Sequence, residues 1–282
     1  MEIGGNVCSI IEKHYNEKIY DIELLGSGWG STVFLMNNKD CLRLTGSDDI
    51  RYKMRRYYQI QNDIIIPNIE IPKYNFIGDI NFDKYRYFAI YPFIKGDTLC
   101  PNIESDDIMK ELSNILYNIH RSVIKNHTLK TYTTSIFYNE YQRFISVVRT
   151  RIPAEHCKQV ENIGITYINL GSSNTVPRFC HKDFAPKNVI INNNKISGII
   201  DWDEICYCDP LYNFNPFEPK VFNKMAEDYP NKEFLGENIH IRYKFYRVYQ
   251  ALSSLYHVIM GYKSSNKGIE NYLNYLINTL NE

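Results

Sequence analysis

The chain has 282 residues, with lysine plus arginine and aspartate plus glutamate both at 32. It is long enough for two packed halves, and it has no basic surplus to seek nucleic acid or an anionic membrane. No apolar run approaches the ~18 residues of a membrane span, and the first residues, with Glu2, Gly4, Gly5 and Asn6, lack the charged-then-apolar pattern of a signal, so a cytoplasmic protein is expected. The seven cysteines, at 8, 41, 100, 157, 180, 206 and 208, form no zinc pattern and read as reduced core thiols.

Val7, Ile10 and Ile11 at helical spacing predict a short helix over 6–18, ahead of three strands. The run Ile22-Glu23-Leu24-Leu25 gives way to Gly26-Ser27-Gly28-Trp29-Gly30-Ser31, and the strand pattern resumes at Thr32–Met36. Asn37-Asn38-Lys39-Asp40 then turns the chain into Cys41–Thr45, which has Arg43 in its middle. Glycines in the first connection allow backbone N–H groups to approach phosphate oxygens closely, so Gly26, Ser27, Gly28 and Ser31 are candidate nucleotide contacts. Asp49–Ile60 reads as a helix without a glutamate. The proline-bounded pieces at 64–67 and 71–74 read as extended chain on a sheet edge, and Tyr85–Ile94 as the last strand of the sheet.

The pattern turns helical at Ser105. Ile108, Leu112, Ile115, Leu116 and Ile119 share a face, Ser105 is the N-cap, and Asp106 and Asp107 favour the positive end of the helix dipole. His120, at the end of that helix, reads as a packed structural residue. Residues 136–170 carry weak helical patterning broken near Pro153, and 171–177 reads as a polar loop. Toward the carboxy terminus Ile241, Phe245, Val248, Leu252, Leu255 and Ile259 step by four and three, and a last helix covers 269–280.

Most of the chemistry lies in residues 181–204. Two β-branched runs, Val189–Ile191 and Ile196–Ile200, surround Asn192, Asn193 and Asn194 and predict a hairpin. An antiparallel hairpin sets Asn188, entering the first strand, beside Asp201, leaving the second. An amide oxygen and a carboxylate there make a hard-oxygen site suited to Mg²⁺, which takes few protein ligands beside substrate phosphates. Asp183, on the preceding loop, is a further carboxylate that can accept a proton from an attacking hydroxyl. Lys182 and Lys187 flank it and read as surface residues.

His181-x-Asp183-x-x-x-x-Asn188 with Ile199-Ile200-Asp201-Trp202 resembles the catalytic loop and metal segment of the aminoglycoside phosphotransferase family, relatives of the protein kinases. Within it, Asp201-Trp202-Asp203-Glu204 followed by Asp209-Pro210-Leu211-Tyr212 is most similar to the hygromycin B phosphotransferase branch.

The resemblance implies an α+β, bilobal, protein-kinase-like fold. A small antiparallel-sheet nucleotide-binding lobe over 1–94 would join, through a hinge at 91–95, a larger, mainly helical lobe over 95–282 that carries catalysis and substrate. It places Arg43 where kinases offer a lysine to the phosphates, with Asp49 or Gln59 as stand-ins for the missing helix glutamate. At the hinge it points to Tyr91 C=O and Phe93 N–H as adenine contacts. It gives His181 a structural role and has Asp209 brace the catalytic loop. Residues 136–170 and the carboxy-terminal helices would shape the acceptor pocket.

The implied function is Mg²⁺-dependent transfer of the γ-phosphate of ATP or GTP to a hydroxyl of a small, cationic molecule, foremost an aminoglycoside, by a monomer or weak dimer. Trp202, Asp203, Glu204 and Glu218, with Glu227 and Asp228 behind, are the residues placed to meet it. The rival readings are a metabolic kinase for an amino alcohol, sugar or nucleoside, and a silent kinase-like binding protein.

Overall fold

The computed structural model describes residues 5–15, 17–28, 30–125, 127–171, 176–261 and 268–282. Trp29 of the glycine loop and most of the loop expected at 171–177 lie outside them. The chain forms two compact units. One comprises Met1–Leu99, Ser122–His127 and Lys187–Ile205, and the other Cys100–Arg121, Thr128–Pro186 and Cys206–Glu282.

The first unit is built on an antiparallel five-stranded sheet of β1 (Ile22–Ser27), β2 (Ser31–Met36), β3 (Asp40–Thr45), β4 (Phe76–Phe82) and β5 (Tyr85–Pro92), in the order β1-β2-β3-β5-β4. Side chains alternate between sheet faces. Phe34, Met36, Leu42, Leu44, Phe88 and Ile90 therefore gather in one core, covered by Ile11 of helix α1 (Gly5–Tyr15). The opposite face carries Val33, Cys41, Arg43 and Tyr91, which line a cavity described below. Asn37 and Asn38 both take positive φ in the β2–β3 turn, which asparagine tolerates. Helix α2 (Asp48–Ile60) follows β3. Its N-cap Ser47 accepts the Ile50 N–H, and Asp48 and Asp49 fill its first turn.

The edge strand is β4, which the sequence did not single out. The two proline-bounded pieces expected there are instead loop chain, with an isolated bridge at Glu70 between them. Glu70 N–H donates to Ser197 O and Glu70 O accepts from Ile199 N–H. That bridge docks the loop on a second, small sheet of β6 (Asp97–Thr98), β8 (Val189–Asn192) and β9 (Lys195–Ile199), in the order β6-β8-β9. Gly96 is needed before β6: its φ is +140°, and an added Cβ would stand 2.3 Å from Ile191 O.

The second unit is mainly helical: α3 (Asp106–His120), α4 (Thr134–Val148), α5 (Ala154–Asn169), α6 (Pro219–Asp228), α7 (Lys232–Leu235), α8 (Ile239–Ile259) and α9 (Gly268–Asn281). A short antiparallel pair, β7 (Arg178–Cys180) with β10 (Cys206–Cys208), accompanies them. Helix α3 begins as expected, Ser105 accepting the Ile108 N–H. The core is strongly aromatic: Phe137 contacts Tyr212, Tyr246 and Tyr249 with ring centroids 5.1–5.3 Å apart, and Tyr167 stacks on Phe245. Cys41, Cys180, Cys206 and Cys208 are buried thiols, whereas Cys100 is exposed. Among the described residues no helix is long and apolar enough to cross a membrane.

Candidate functional site

Within the first unit, a cavity of about 540 Å³ is lined by the glycine loop (Gly26, Ser27, Gly28, Ser31), by Arg43, by the end of β5 and by Asn188 and Asp201. A Cβ added at Gly26 or Gly28 would meet nothing within 4 Å, so the loop leaves open space beside its backbone. Its amides are partly engaged with one another: Gly28 N–H donates to Ser31 O and Gly30 N–H to Gly28 O, both at 2.9 Å. Gly28 is therefore a point of close approach rather than an available donor.

Arg43 is buried at the centre of β3, between Val33 and Ala89 on the flanking strands. Neither Asp49 nor Gln59 holds it. Asp49 forms an ion pair with Lys53 one helical turn away, at 2.8 Å. The partner of Arg43 is Asp203, whose two oxygens accept from Nη1 at 2.9 Å and Nη2 at 2.5 Å; Tyr74 Oη also accepts from Nη1, at 3.1 Å. This two-pronged geometry is the strong form of a guanidinium–carboxylate pair. Tyr74 is itself fixed by Gln61, which bonds both its N–H and its C=O.

Asp203, 6 % exposed, is thus withdrawn from the acidic wall expected for a cationic substrate. Trp202 is also buried, although it lines the cavity. Its indole N–H donates to Ile199 O at 2.8 Å, and its ring stacks on Tyr57 of α2. Glu204 stays half-exposed and takes Lys53 at 2.7 Å.

The expected hairpin is formed by β8 and β9, with Val189 opposite Ile199 and Ile190 opposite Gly198. Asn193 and Asn194, both at positive φ, make its two-residue turn. At its mouth Ile200 N–H donates to Asn188 O at 2.9 Å, which sets Asp201 one residue from the rung that anchors Asn188. Asn188 is 5 % exposed and Asp201 is exposed, and both line the cavity. Asp201 has φ 63° and ψ 61°, a left-handed conformation that costs a non-glycine residue of order 1–2 kcal/mol.

At the end of β5 the pairing with β3 continues one step further, as Phe93 N–H donates to Lys39 O at 2.9 Å. Phe93 N–H, expected at the hinge, is therefore engaged within the sheet. Hydrogen-bonding direction alternates along a strand, and Tyr91, opposite Cys41, faces β3 as Phe93 does. Pro92, the next residue of β5, has no N–H and turns its C=O away from β3; Pro92 and Ile94 both line the cavity.

Asp183 belongs to the second unit and is half-buried; its N–H donates to His181 Nδ1 at 3.3 Å. The loop is fixed by a relay absent from the sequence reading. Lys182 N–H donates to Asn213 Oδ1 at 2.9 Å, and the Asn213 amide nitrogen donates to His120 Nε2 at 2.9 Å. His120 Nδ1–H is then left to donate to Tyr229 Oη, at 2.7 Å. Lys182 is held at φ 66°, and its ammonium lies 3.8 Å from the centre of the Tyr132 ring, so it is not the surface residue expected.

The brace expected of Asp209 goes elsewhere. Its carboxylate accepts from Arg242 Nε and Nη2, Tyr246 Oη–H and Leu211 N–H. Glu218 is exposed at the start of α6.

Burial, with Arg178 as the lesser cause, pushes the His120 pKa down from 6.5 to about 3. Between those values the unfolded chain binds a proton that the folded chain does not. Stability conferred by neutral His120 is therefore present above about pH 6.5 and is lost as pH falls toward 3, by about 1.4 kcal/mol per unit. Urea midpoints measured from pH 6.5 to 4.5 are expected to fall less steeply for His120→Gln than for the parent; equal slopes would remove His120 from this account.

An antiparallel five-stranded sheet with a mainly helical remainder is the architecture of the kinase-like phosphotransferases. Residues 21–216 match the model of the phosphotransferase enzyme family designated APH, and the chain belongs to that family: it is a small-molecule kinase.

Solved structures share its fold along nearly its whole length. The GDP complex of wild-type aminoglycoside 2'-phosphotransferase-IIIa aligns with TM-score 0.83 at 15% identity, covering 98% of each chain. The streptomycin–ATP–APH(2")-IIa ternary complex gives 0.69 at 19% identity over 99% of each. Spectinomycin phosphotransferase APH(9)-Ia, in complex with ADP and spectinomycin, gives 0.66 at 15% identity over 99% of this chain and 95% of that one.

Proposed function

We propose that this protein transfers the γ-phosphoryl group of ATP or GTP to a hydroxyl of an aminoglycoside or aminocyclitol, in the manner of the hygromycin B branch. The observation that carries the reading is the meeting of Asn188 and Asp201 at the hairpin mouth, on the wall of the cavity that also holds the glycine loop and Arg43. These residues fit a magnesium ion. Both offer hard oxygen, and two protein ligands suffice for an ion that completes its shell with phosphate oxygens and water. Among the described residues no cluster of three His, Cys, Asp or Glu side chains offers an all-protein metal cage. When bound, the ion supplies charge neutralisation on the phosphates.

The protein's own groups do the rest. In this reading residues 1–94 hold the nucleotide and residues 95–282 carry catalysis and the acceptor, with the hinge at 91–95. Gly26, Ser27, Gly28 and Ser31 admit the phosphates close to the backbone, and Pro92 C=O and Ile94 N–H meet the purine edge. The buried positive charge of Arg43 faces the phosphates. Asp183 orients the acceptor hydroxyl and takes its proton. Phosphoryl transfer asks for positioning and charge neutralisation more than covalent chemistry, which suits a site made of rigid strand ends.

Support for an aminoglycoside acceptor comes from the family and from solved neighbours complexed with kanamycin, gentamicin, streptomycin and spectinomycin. With Asp203 committed to Arg43, Glu204 to Lys53 and Asp228 to Lys224, the acid left for a polyamine is Glu218 and Glu227. A coupled ADP or GDP release assay over aminoglycosides, nucleoside antibiotics and amino alcohols tests the reading. Turnover that starts only when an aminoglycoside is added is the expected result. Activity on an amino alcohol, sugar or nucleoside alone would replace it with a metabolic kinase, and Mg²⁺-dependent nucleotide binding without transfer would leave a binding protein.

A further inference from the structure

The charge pattern around Arg43 is inverted relative to the expected one. The helix after β3 brings cations to the site, and the carboxylate that holds the strand arginine comes from the turn at Trp202–Glu204. Lys53 and Arg56, one helical turn apart on α2, both reach that turn. Lys53 Nζ binds Glu204 Oε1 at 2.7 Å, and Arg56 Nη2 donates to Asp203 O at 2.5 Å. Asp203 is therefore gripped at two points: its carboxylate by Arg43 from the sheet, and its carbonyl by Arg56 from the helix. It lies two residues beyond Asp201 on a chain that Trp202 anchors against Tyr57.

We infer that Asp203 is a positioning residue that fastens the phosphate-facing arginine and the metal-facing aspartate to one rigid turn, with α2 clamping that turn from outside the cavity. The inference rests on the nucleotide reading above. Three physical arguments support it. A guanidinium at this depth keeps its charge, and without a paired carboxylate the cost of its desolvation would go uncompensated. Arg43 spends Nη1 and Nη2 on Asp203 and Tyr74, so its orientation is set before any nucleotide arrives. Asp201 sits in a strained left-handed conformation that the turn after it must hold. Loosening Asp203 should thus disturb two functions together, the grip on the phosphates and the dependence on the divalent ion, while leaving the acceptor site alone.

The test uses the full chain and two variants. Asp203→Asn keeps the shape and removes the charge. Arg56→Gln lies outside the cavity lining and loosens only the carbonyl grip. Affinities for Mg²⁺·ATP and Mg²⁺·GTP are measured by calorimetry, and the nucleotide KM, acceptor KM and Mg²⁺ concentration for half-maximal rate by steady-state kinetics.

For Asp203→Asn, nucleotide Kd and KM are expected to rise about tenfold or more, as for loss of one charged hydrogen-bonded pair. The Mg²⁺ requirement should rise with them and the acceptor KM should not move. Asp203→Glu should recover part of the loss. Arg56→Gln, which answers even if Asp203→Asn fails to fold, should shift the same two quantities a few-fold in the same direction. Parent-like nucleotide affinity and Mg²⁺ requirement in Arg56→Gln, or equal loss of nucleotide and acceptor affinity in either variant, would overturn the inference. A parent protein that binds neither nucleotide would take down the nucleotide reading itself, and with it this one.

Discussion

Asp183→Asn is expected to give a folded protein whose turnover has dropped by about 10² to 10⁴, the usual contribution of a positioned general base. The substitution is nearly isosteric, and several of the bonds that shape the loop run through other groups. Lys182 N–H to Asn213, Asn213 to His120 and Asp183 N–H to His181 would all survive it. What changes is the capacity to take a proton. The rate is to be read at saturating nucleotide and acceptor, with circular dichroism confirming the fold. Asp201→Asn should lose at least as much, and it should differ in kind by raising the Mg²⁺ requirement, which Asp183→Asn should leave unchanged. Near-parental turnover in a folded Asp183→Asn protein would discard the base assignment.

The largest effect on stability is expected from Arg242→Ala. Asp209 is 7 % exposed and Arg242 2 % exposed, and the pair is joined twice, Nε to Oδ2 at 2.8 Å and Nη2 to Oδ1 at 2.5 Å. Arg242 Nη1 also donates to Leu235 O and Glu237 O, tying α8 to the end of α7, while Tyr246 Oη–H caps the same carboxylate. Removing the arginine leaves a buried carboxylate without its counter-charge, which typically costs about 3–5 kcal/mol. Chemical denaturation should show a loss of that size. The double variant Arg242→Met/Asp209→Leu should regain most of it, since two apolar groups of similar volume do not strand a charge. A loss below about 1 kcal/mol in the single variant would mean that water reaches the pair.

Much of this was legible in the chain because the signals are local. Asparagine pairs at positive φ mark both hairpin turns, Ser105 with two following aspartates marks the start of α3, and His181-x-Asp183-x-x-x-x-Asn188 marks the catalytic loop. What was missed depends on pairs far apart in sequence. Arg43 and Asp203 are 160 residues apart, and His120 and Asn213 are 93 apart; no window reading connects them. A trace was nevertheless present. Lys53 and Arg56, at helical spacing on a helix with no glutamate, announce a face that wants an acidic partner, and the site segment offered the acid pair Asp203-Glu204, read there as facing the substrate. The bond from Phe93 N–H to Lys39 O was hidden for a different reason. Which amide of a strand end faces its neighbour depends on register, and register shifts by one residue without any change in the hydrophobic pattern of a short terminal segment.

The composition of the first unit bears on how the protein is made. Its chain leaves at Leu99, touches back over Ser122–His127 and returns only at Lys187 with the strands that carry Asn188 and Asp201. On the ribosome, elongation at roughly 5–20 residues per second leaves the first unit waiting several seconds for its last pieces, the strands of its smaller sheet. During that interval β6 lacks its partner β8, so the nascent chain presents an unpaired edge when chaperone capture matters most.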